Sequence, residues 1–203
     1  SFDLSAASTT TLILFAAVSA FAYFFLLLRG GRRRPNHNNK ARNVFRSKED
    51  LIQAIDEYVA NPTASFHGHI SLWDVLSITD FSFVFDASRN SRLEHFSEDL
   101  SKWDVSNATD LTSMFSGCTR FNGDVSTWDV SKARNVSRMF EGCSNFNGDV
   151  SCWNLSNATY LSFMFVFCKS FNGDVSSWDL SNARDLSGTF CKCESFNGNV
   201  SSW

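Results

Sequence analysis

The chain has 203 residues, of which 43% are hydrophobic, 15% aromatic and 19% charged, as in globular domains. This composition excludes a wholly disordered chain and a collagen-like chain. Charge is unevenly divided, because residues 1–48 carry eight Lys or Arg and one acid, whereas residues 49–203 carry ten Lys or Arg and twenty acids. The acidic part repels phosphate backbones, which argues against a nucleic-acid partner.

The first predicted element is an uncharged run at residues 9–28, which follows a short flank at residues 1–8. Twenty helical residues span about 30 Å, the thickness of the hydrocarbon core of a bilayer. The run lacks a small-residue cleavage site, so we interpret it as a transmembrane helix and not as a signal peptide. The prediction is a single-pass membrane protein at the plasma membrane or cell surface. The basic linker at residues 29–46 favours a cytoplasmic position for the repeats, although charges before Ser1 would change that bias.

A capping helix is predicted within residues 47–65. Ser47 with Asp50 three residues later resembles a capping box, and Pro62 stops the helix. Five apolar residues lie at helical spacing on one face, which needs a neighbouring core to cover it: Leu51, Ile52, Ile55, Tyr58 and Val59.

A repeat occupies residues 66–203. Five tryptophans recur at one fixed interval, namely Trp103, Trp128, Trp153, Trp178 and Trp203, and Trp73 begins an earlier copy at a slightly longer interval. A fixed period of this length indicates a solenoid, in which each coil buries its apolar side only against its neighbours. Since the sequence stops within a unit, the repeat region is expected to be truncated at its C-terminus.

Each unit is predicted to contain one short strand and one short helical turn. Val125, Trp128 and Val130 follow the spacing of the strand in leucine-rich repeats, whereas residues 136, 139, 140 and 143 share one helical face. The predicted fold class is therefore an α/β repeat solenoid, leucine-rich-repeat-like, behind an N-terminal transmembrane helix. The predicted repeat core of one unit is Phe121, Val125, Trp128, Val130, Val136, Met139, Phe140 and Cys143.

Two runs share one pattern, in which Met-Phe-x-x-Cys is followed by Phe-Asn-x-Asp-x-Ser-x-Trp: Met114 to Asp129 and Met139 to Asn154. This pattern resembles that of the BspA-like family of leucine-rich-repeat surface proteins. That family includes mycoplasma surface lipoproteins and many algal and protist proteins of the 25-residue repeat type. The resemblance implies a cell-surface or secreted binding module, often adhesive, with no known catalytic centre. Asn154 and Asn199 depart from the pattern, since Asp is usual there, as does Glu98, where Gly is usual.

Carboxylates in register are suited to calcium, which prefers six to eight oxygen ligands: Asp124, Asp129, Asp149, Asp174 and Asp179. The alternative, which we favour, is that these side chains cap loop backbone groups, as Asp and Asn do in turns. No firm metal site and no cofactor is predicted. Cys118, Cys143, Cys168 and Cys193 recur at the same interval as the tryptophans, and we expect free thiols, although extracellular repeats would permit bridges.

No catalytic motif with supporting context is present, so an enzyme is not expected. The predicted function is a protein-interaction or adhesion surface, with other proteins or surface glycans as partners and a membrane contact through residues 9–28. The alternatives are a cytoplasmic, membrane-tethered scaffold and a calcium-binding structural rod. The predicted binding positions are those that vary between units: Lys102, Thr127, Ser177, Lys132, Arg134, Arg138, Glu141 and Tyr160.

Overall fold

A computed structural model describes residues 43–201 and Trp203. Within these residues there is one α-helix, α1 at Lys48–Ala60, and there are three short 3-10 helices, at Pro62–Ala64, Ile70–Leu72 and Ser91–His95. The same residues contain no β-strand, and neighbouring segments pair only at isolated parallel bridges. Most of the described chain is therefore built from turns.

Helix α1 begins at an N-cap, where the hydroxyl of Ser47 accepts a hydrogen bond of 3.1 Å from the backbone N–H of Asp50. Two acids in its first turn, Glu49 and Asp50, face the positive end of the helix dipole. The helix ends before Pro62, which lacks the N–H that a further turn would need. The face that joins the hydrophobic core carries Leu51, Ala54, Ile55 and Tyr58.

The repeat units stack in register as successive coils. Parallel bridges join Asp80 to Asp110, Asp110 to Asn135, Asn135 to Tyr160 and Tyr160 to Asp185. The first of these pairs is separated by the longer interval that also separates Trp73 from Trp103, and the later pairs by the shorter interval of the other tryptophans. We call the eight-residue stretches that begin at the bridge residues the ladder segments: 80–87, 110–117, 135–142, 160–167 and 185–192.

Backbone amides in a ladder segment alternate between two kinds of partner. The N–H groups of residues 111, 113, 115 and 117 donate to the carbonyls of residues 135, 137, 139 and 141 in the next coil, at 2.7 to 2.9 Å. Those of residues 114, 116 and 118 donate three residues back, at 3.0 to 3.2 Å. The alternation requires a left-handed backbone every fourth residue, as at Ser113 (φ 53°) and Gly117 (φ 74°).

The predicted helical turn at residues 136–143 is therefore wrong. An α-helix directs every N–H to the carbonyl four residues back, whereas here half of the amides bond to the next coil. The left-handed residues Arg138 (φ 57°) and Gly142 (φ 72°) interrupt any helix. The predicted inward residues nevertheless all face the core, because these turns bury residues at the same spacing as a helix does: Val136, Met139, Phe140 and Cys143.

The predicted strand around Trp128 is also wrong. The N–H of Trp128 bonds to the carbonyl of Val125 within the same turn, at 3.2 Å, and that of Ala133 bonds to Val130 at 2.9 Å. No bridge joins these residues to another coil. The α/β solenoid of strand and helical turn is thus corrected to stacked coils of turns, with neither a strand nor a helix in the 25-residue units.

The core runs without interruption from α1 through the coils. All eight residues predicted as repeat core are buried, with at most 3% of their surface exposed. Phenylalanines stack between coils, as Phe115 on Phe140 at 5.7 Å and Phe140 on Phe165 at 5.5 Å between ring centroids. Within a coil Phe140 packs on Phe146 at 4.1 Å. These columns of aromatic rings hold successive coils in register.

The membrane prediction is corrected as well. No helix within residues 43–201 and 203 is long and apolar enough to cross a membrane. The single-pass assignment, and the localisation drawn from it, are therefore not carried further. The run at residues 9–28, the flank before it and the linker as far as residue 42 lie outside the described residues.

Candidate functional site

The predicted binding positions near the tryptophans serve mainly to join coils. Thr127 donates its hydroxyl to the carbonyl of Ser101 in the preceding coil at 2.7 Å, and Ser177 does the same to Ser151 at 2.7 Å. Lys132 donates its ammonium to the side chain of Asn107, also at 2.7 Å. Lys102 lies with Leu72, Leu76 and Asp104 in the wall of an open cavity of about 430 Å³.

The other predicted positions lie on the third and fourth ladder segments or, in the case of Arg134, directly before the third. Tyr160 is 46% exposed, and its bridges place it between Asn135 of the third segment and Asp185 of the fifth. The carbonyl of Arg134 accepts hydrogen bonds from the N–H groups of Thr159 and Tyr160, at 2.8 and 3.2 Å. The exposed side chain of Arg134 therefore begins one coil away from Tyr160.

Arg138 lies on the same surface of the coils as Arg134 and Tyr160 and contacts the next coil. Its guanidinium donates to Glu141 at 2.7 Å and lies over the ring of Phe163 in the next coil, 4.6 Å from the ring centroid. A cation over an aromatic face is attracted by the ring quadrupole. A Cβ placed on Gly188 would come within 2.6 Å of the Phe163 ring, so the ring rests on the coil beyond.

Two aromatic residues of this surface, Phe163 and Phe167, were missed by the sequence reasoning. Both have left-handed backbones, with φ of 59° and 62°, which costs about 1–2 kcal/mol for a residue with a side chain. At the position of Phe167 the two preceding coils have Gly117 and Gly142, and the Phe167 side chain is 48% exposed. The signal that identifies Phe167 is therefore a bulky residue where the two coils before it have glycine.

Each aspartate predicted as a possible calcium ligand accepts a backbone hydrogen bond within its own turn. Asp124, Asp149 and Asp174 each accept a hydrogen bond of 2.9 Å from the N–H group two residues on, and Asp129 and Asp179 do so at 2.9 and 3.0 Å. The hydroxyl and N–H of Ser131 lower the pKa of Asp129, and the corresponding serine groups lower the pKa of Asp149, Asp174 and Asp179. Within the described residues no three His, Cys, Asp or Glu side chains gather to hold a metal.

A column of asparagines joins successive coils through hydrogen bonds. The side-chain oxygen of Asn122 accepts the backbone N–H of Asn147 at 2.9 Å, that of Asn147 accepts Asn172 at 2.9 Å, and that of Asn172 accepts Asn197 at 2.8 Å. Each amide therefore satisfies a backbone donor of the following coil. Asn122, Asn147 and Asn172 therefore have a structural role in joining the coils.

All six cysteines are free thiols. Cys118, Cys143 and Cys168 are buried, and each donates its thiol to a phenylalanine carbonyl of the preceding coil, at 2.9 to 3.0 Å. Burial raises the pKa of these three well above the ordinary value, and it raises the pKa of the half-buried Cys193 to about 11. The cysteine column therefore acts as small, hydrogen-bonded core residues and not as a reactive site.

Comparison with known proteins yields one family. The profile described as "Mycoplasma protein of unknown function, DUF285" matches residues 51–135 and 89–203, which together include every coil and most of helix α1. The chain belongs to the DUF285 family. No curated protein and no solved structure matches it.

The DUF285 match covers the whole surface around Arg138, because that surface lies within residues 89–203. The family description assigns no activity, so any role must be argued from this chain's own residues. The coils of this chain differ from one another at outward positions of the ladder segments, where Asp110, Asn135, Tyr160 and Asp185 follow one another.

Proposed function

We propose that this DUF285 chain is a BspA-like repeat protein whose stacked coils present a protein-binding surface. The support is the 25-residue repeat with its Met-Phe-x-x-Cys run, and the agreement between a resemblance that includes mycoplasma proteins and a matched family described as a Mycoplasma family. Stacked repeats form extended surfaces on which several weak contacts add together, and this geometry suits the binding of another protein.

One observation carries the proposal: the inward positions of the coils repeat, whereas outward positions on the ladder segments do not. Phe115, Phe140 and Phe165 occupy one buried column without change. The outward column of bridge residues holds Asp80, Asp110, Asn135, the half-exposed Tyr160 and Asp185. Packing explains the first column. In the second, Asn135 accepts the N–H of Ser137 at 3.0 Å, and Asp110 and Asp185 form the same turn, but a tyrosine does not form it, so neither packing nor turn formation explains Tyr160. Recognition of a partner supplies a reason for the variation.

The test is site-specific photocrosslinking with the full 203-residue chain. A photoreactive phenylalanine replaces Tyr160 in one variant and Asp149, an outward residue of the regular repeat, in another. A protein partner is expected to crosslink at position 160 and not at position 149. Equal labelling at both positions, or no protein labelled at either, would contradict a protein-binding surface, as would binding confined to an array of surface glycans.

A further inference from the structure

We infer that one patch on the ladder segments, which we call the aromatic–basic patch, binds an acidic, extended peptide that also carries apolar side chains. The inference rests on the proposed function and names the chemistry of the partner. The patch consists of Tyr160, Phe163 and Phe167 from the fourth ladder segment and Arg134, Arg138 and Arg184 from the coils on either side.

Two aromatic residues of the patch, Tyr160 and Phe167, are not explained by packing, whereas Phe163 lies between Arg138 and Gly188. Phe167 leaves nearly half of its side chain in water and holds a left-handed backbone, although Gly142 at the same position of the preceding coil avoids both disadvantages. Tyr160 is exposed where the preceding coil has a polar asparagine. Exposed aromatic side chains on a strained backbone mark a candidate binding site.

The basic part of the patch defines the partner's charge. Residues 49–203 carry twice as many acids as bases, yet three of their ten Lys or Arg residues lie in this patch. Arg134 and Arg184 are exposed and form no ion pair among residues 43–201 and 203, whereas Arg138 is paired with Glu141. The neighbouring acid Asp185 accepts the N–H of Ser187. Two unpaired guanidinium groups therefore remain for carboxylates of a partner.

The shape of the charge distribution favours a peptide over a larger anionic surface. A membrane or a nucleic-acid duplex would face the acidic coils as well as the patch and be repelled by them. An extended peptide contacts only a few neighbouring coils. Its alternating side chains would place carboxylates toward Arg134 and Arg184 and apolar groups toward Tyr160 and Phe167.

The test measures fluorescence anisotropy with labelled synthetic peptides of about twelve residues and the full chain. A peptide that alternates Glu with Leu is expected to bind about tenfold more tightly than peptides that alternate Gln with Leu or Glu with Ser. Added salt is expected to weaken binding. Equal affinity for the three peptides would overturn the inference.

Matched variants locate the site. F167G restores the residue of the preceding coils and suits the left-handed backbone, so it folds, and it is expected to weaken binding about tenfold. F83G removes another exposed phenylalanine with a left-handed backbone, in the first ladder segment, and is expected to leave affinity unchanged. Unchanged binding by F167G, or an equal loss in F83G, would overturn the inference.

The same variants exclude other ligands. If heparin or phosphatidylserine vesicles bind through Phe167 and the Glu/Leu peptide does not, the peptide assignment is overturned. Crosslinking separates this inference from the proposed function. If a protein partner still crosslinks at position 160 in the F167G variant at undiminished yield, the protein-binding surface is retained and the inference that Phe167 takes part in recognition is overturned.

Discussion

Trp153 donates its indole N–H to the main-chain carbonyl of Val125 in the preceding coil, 3.1 Å away. Trp128 forms the same bond to Leu100 at 3.0 Å. These carbonyls accept a backbone N–H only from their own turn, because the segments around Trp103 and Trp128 take part in no bridge. The indole thus replaces the bond between coils that a strand would have supplied, inside an apolar core where water cannot substitute for a lost donor.

The indole bond predicts the effect of W153F. Phenylalanine keeps an aromatic ring in the column but removes the donor that the next coil supplies to the carbonyl of Val125. We expect the free energy of unfolding, measured by urea denaturation, to fall by about 1–3 kcal/mol, because the bond between coils and part of the buried ring volume are both lost. S177A removes an exposed bond between coils that water can replace, and we expect a loss below about 1 kcal/mol. Equal losses in the two variants would show that burial of the bond is unimportant.

The close approach of two coils predicts the effect of G123A. A Cβ on the buried Gly123 would meet the carbonyl oxygen of Glu98, a backbone atom that cannot move without shifting its coil. We expect a loss of about 1–3 kcal/mol in urea denaturation. The control is G68N, because nothing lies within 4 Å of a Cβ at Gly68 and asparagine tolerates its φ of 73°. A loss as large in G68N would contradict the steric explanation.

Thiol reactivity is expected to divide the six cysteines. Cys152 and Cys191 are exposed and should react with a thiol reagent within the native protein. Cys118, Cys143 and Cys168 should react only after unfolding, because burial raises their pKa and blocks access. The measurement is a titration with Ellman's reagent, with and without denaturant. Rapid native labelling of more than the exposed pair and Cys193 would contradict the stacked core.

The aspartate turns predict acid sensitivity. Hydrogen bonds from Ser131 and Ser151 lower the pKa of Asp129 and Asp149 below the value of about 3.9 in unfolded chains. A lowered pKa in the folded state stabilises it above about pH 4, and this stabilisation is lost as pH falls through the folded pKa. The melting temperature, followed by circular dichroism, should therefore decrease below about pH 4.

A triple variant, D129N/D149N/D179N, separates charge from hydrogen bonding. Asn154 already accepts the N–H of Ser156 at 3.1 Å, so asparagine preserves the turn. We expect the variant to fold and to lose less stability between neutral pH and about pH 3 than the natural chain. D129A lacks the acceptor and should be less stable at every pH. A triple variant as sensitive to acid as the natural chain would place the titrating groups elsewhere.

The period and the inward-facing residues were predictable from the sequence. Tryptophans at a constant interval indicate stacking, and Val136, Met139, Phe140 and Cys143 are buried whether their segment is a helix or a ladder of turns. The two conformations share a spacing of three and four positions between buried side chains. Ser47 similarly marks the start of α1, because an N-cap bond forms within one turn and depends only on near neighbours.

The tertiary structure alone decided the backbone of the coils and the outer surface. The N–H of Leu111 bonds to the carbonyl of Asn135 in the next coil, and no local pattern shows that this bond replaces one four residues back. Phe167 is exposed, although its apolar side chain by itself favours the core. Its place is determined by the left-handed backbone that stacking imposes, and that backbone exists only once neighbouring coils supply its hydrogen bonds.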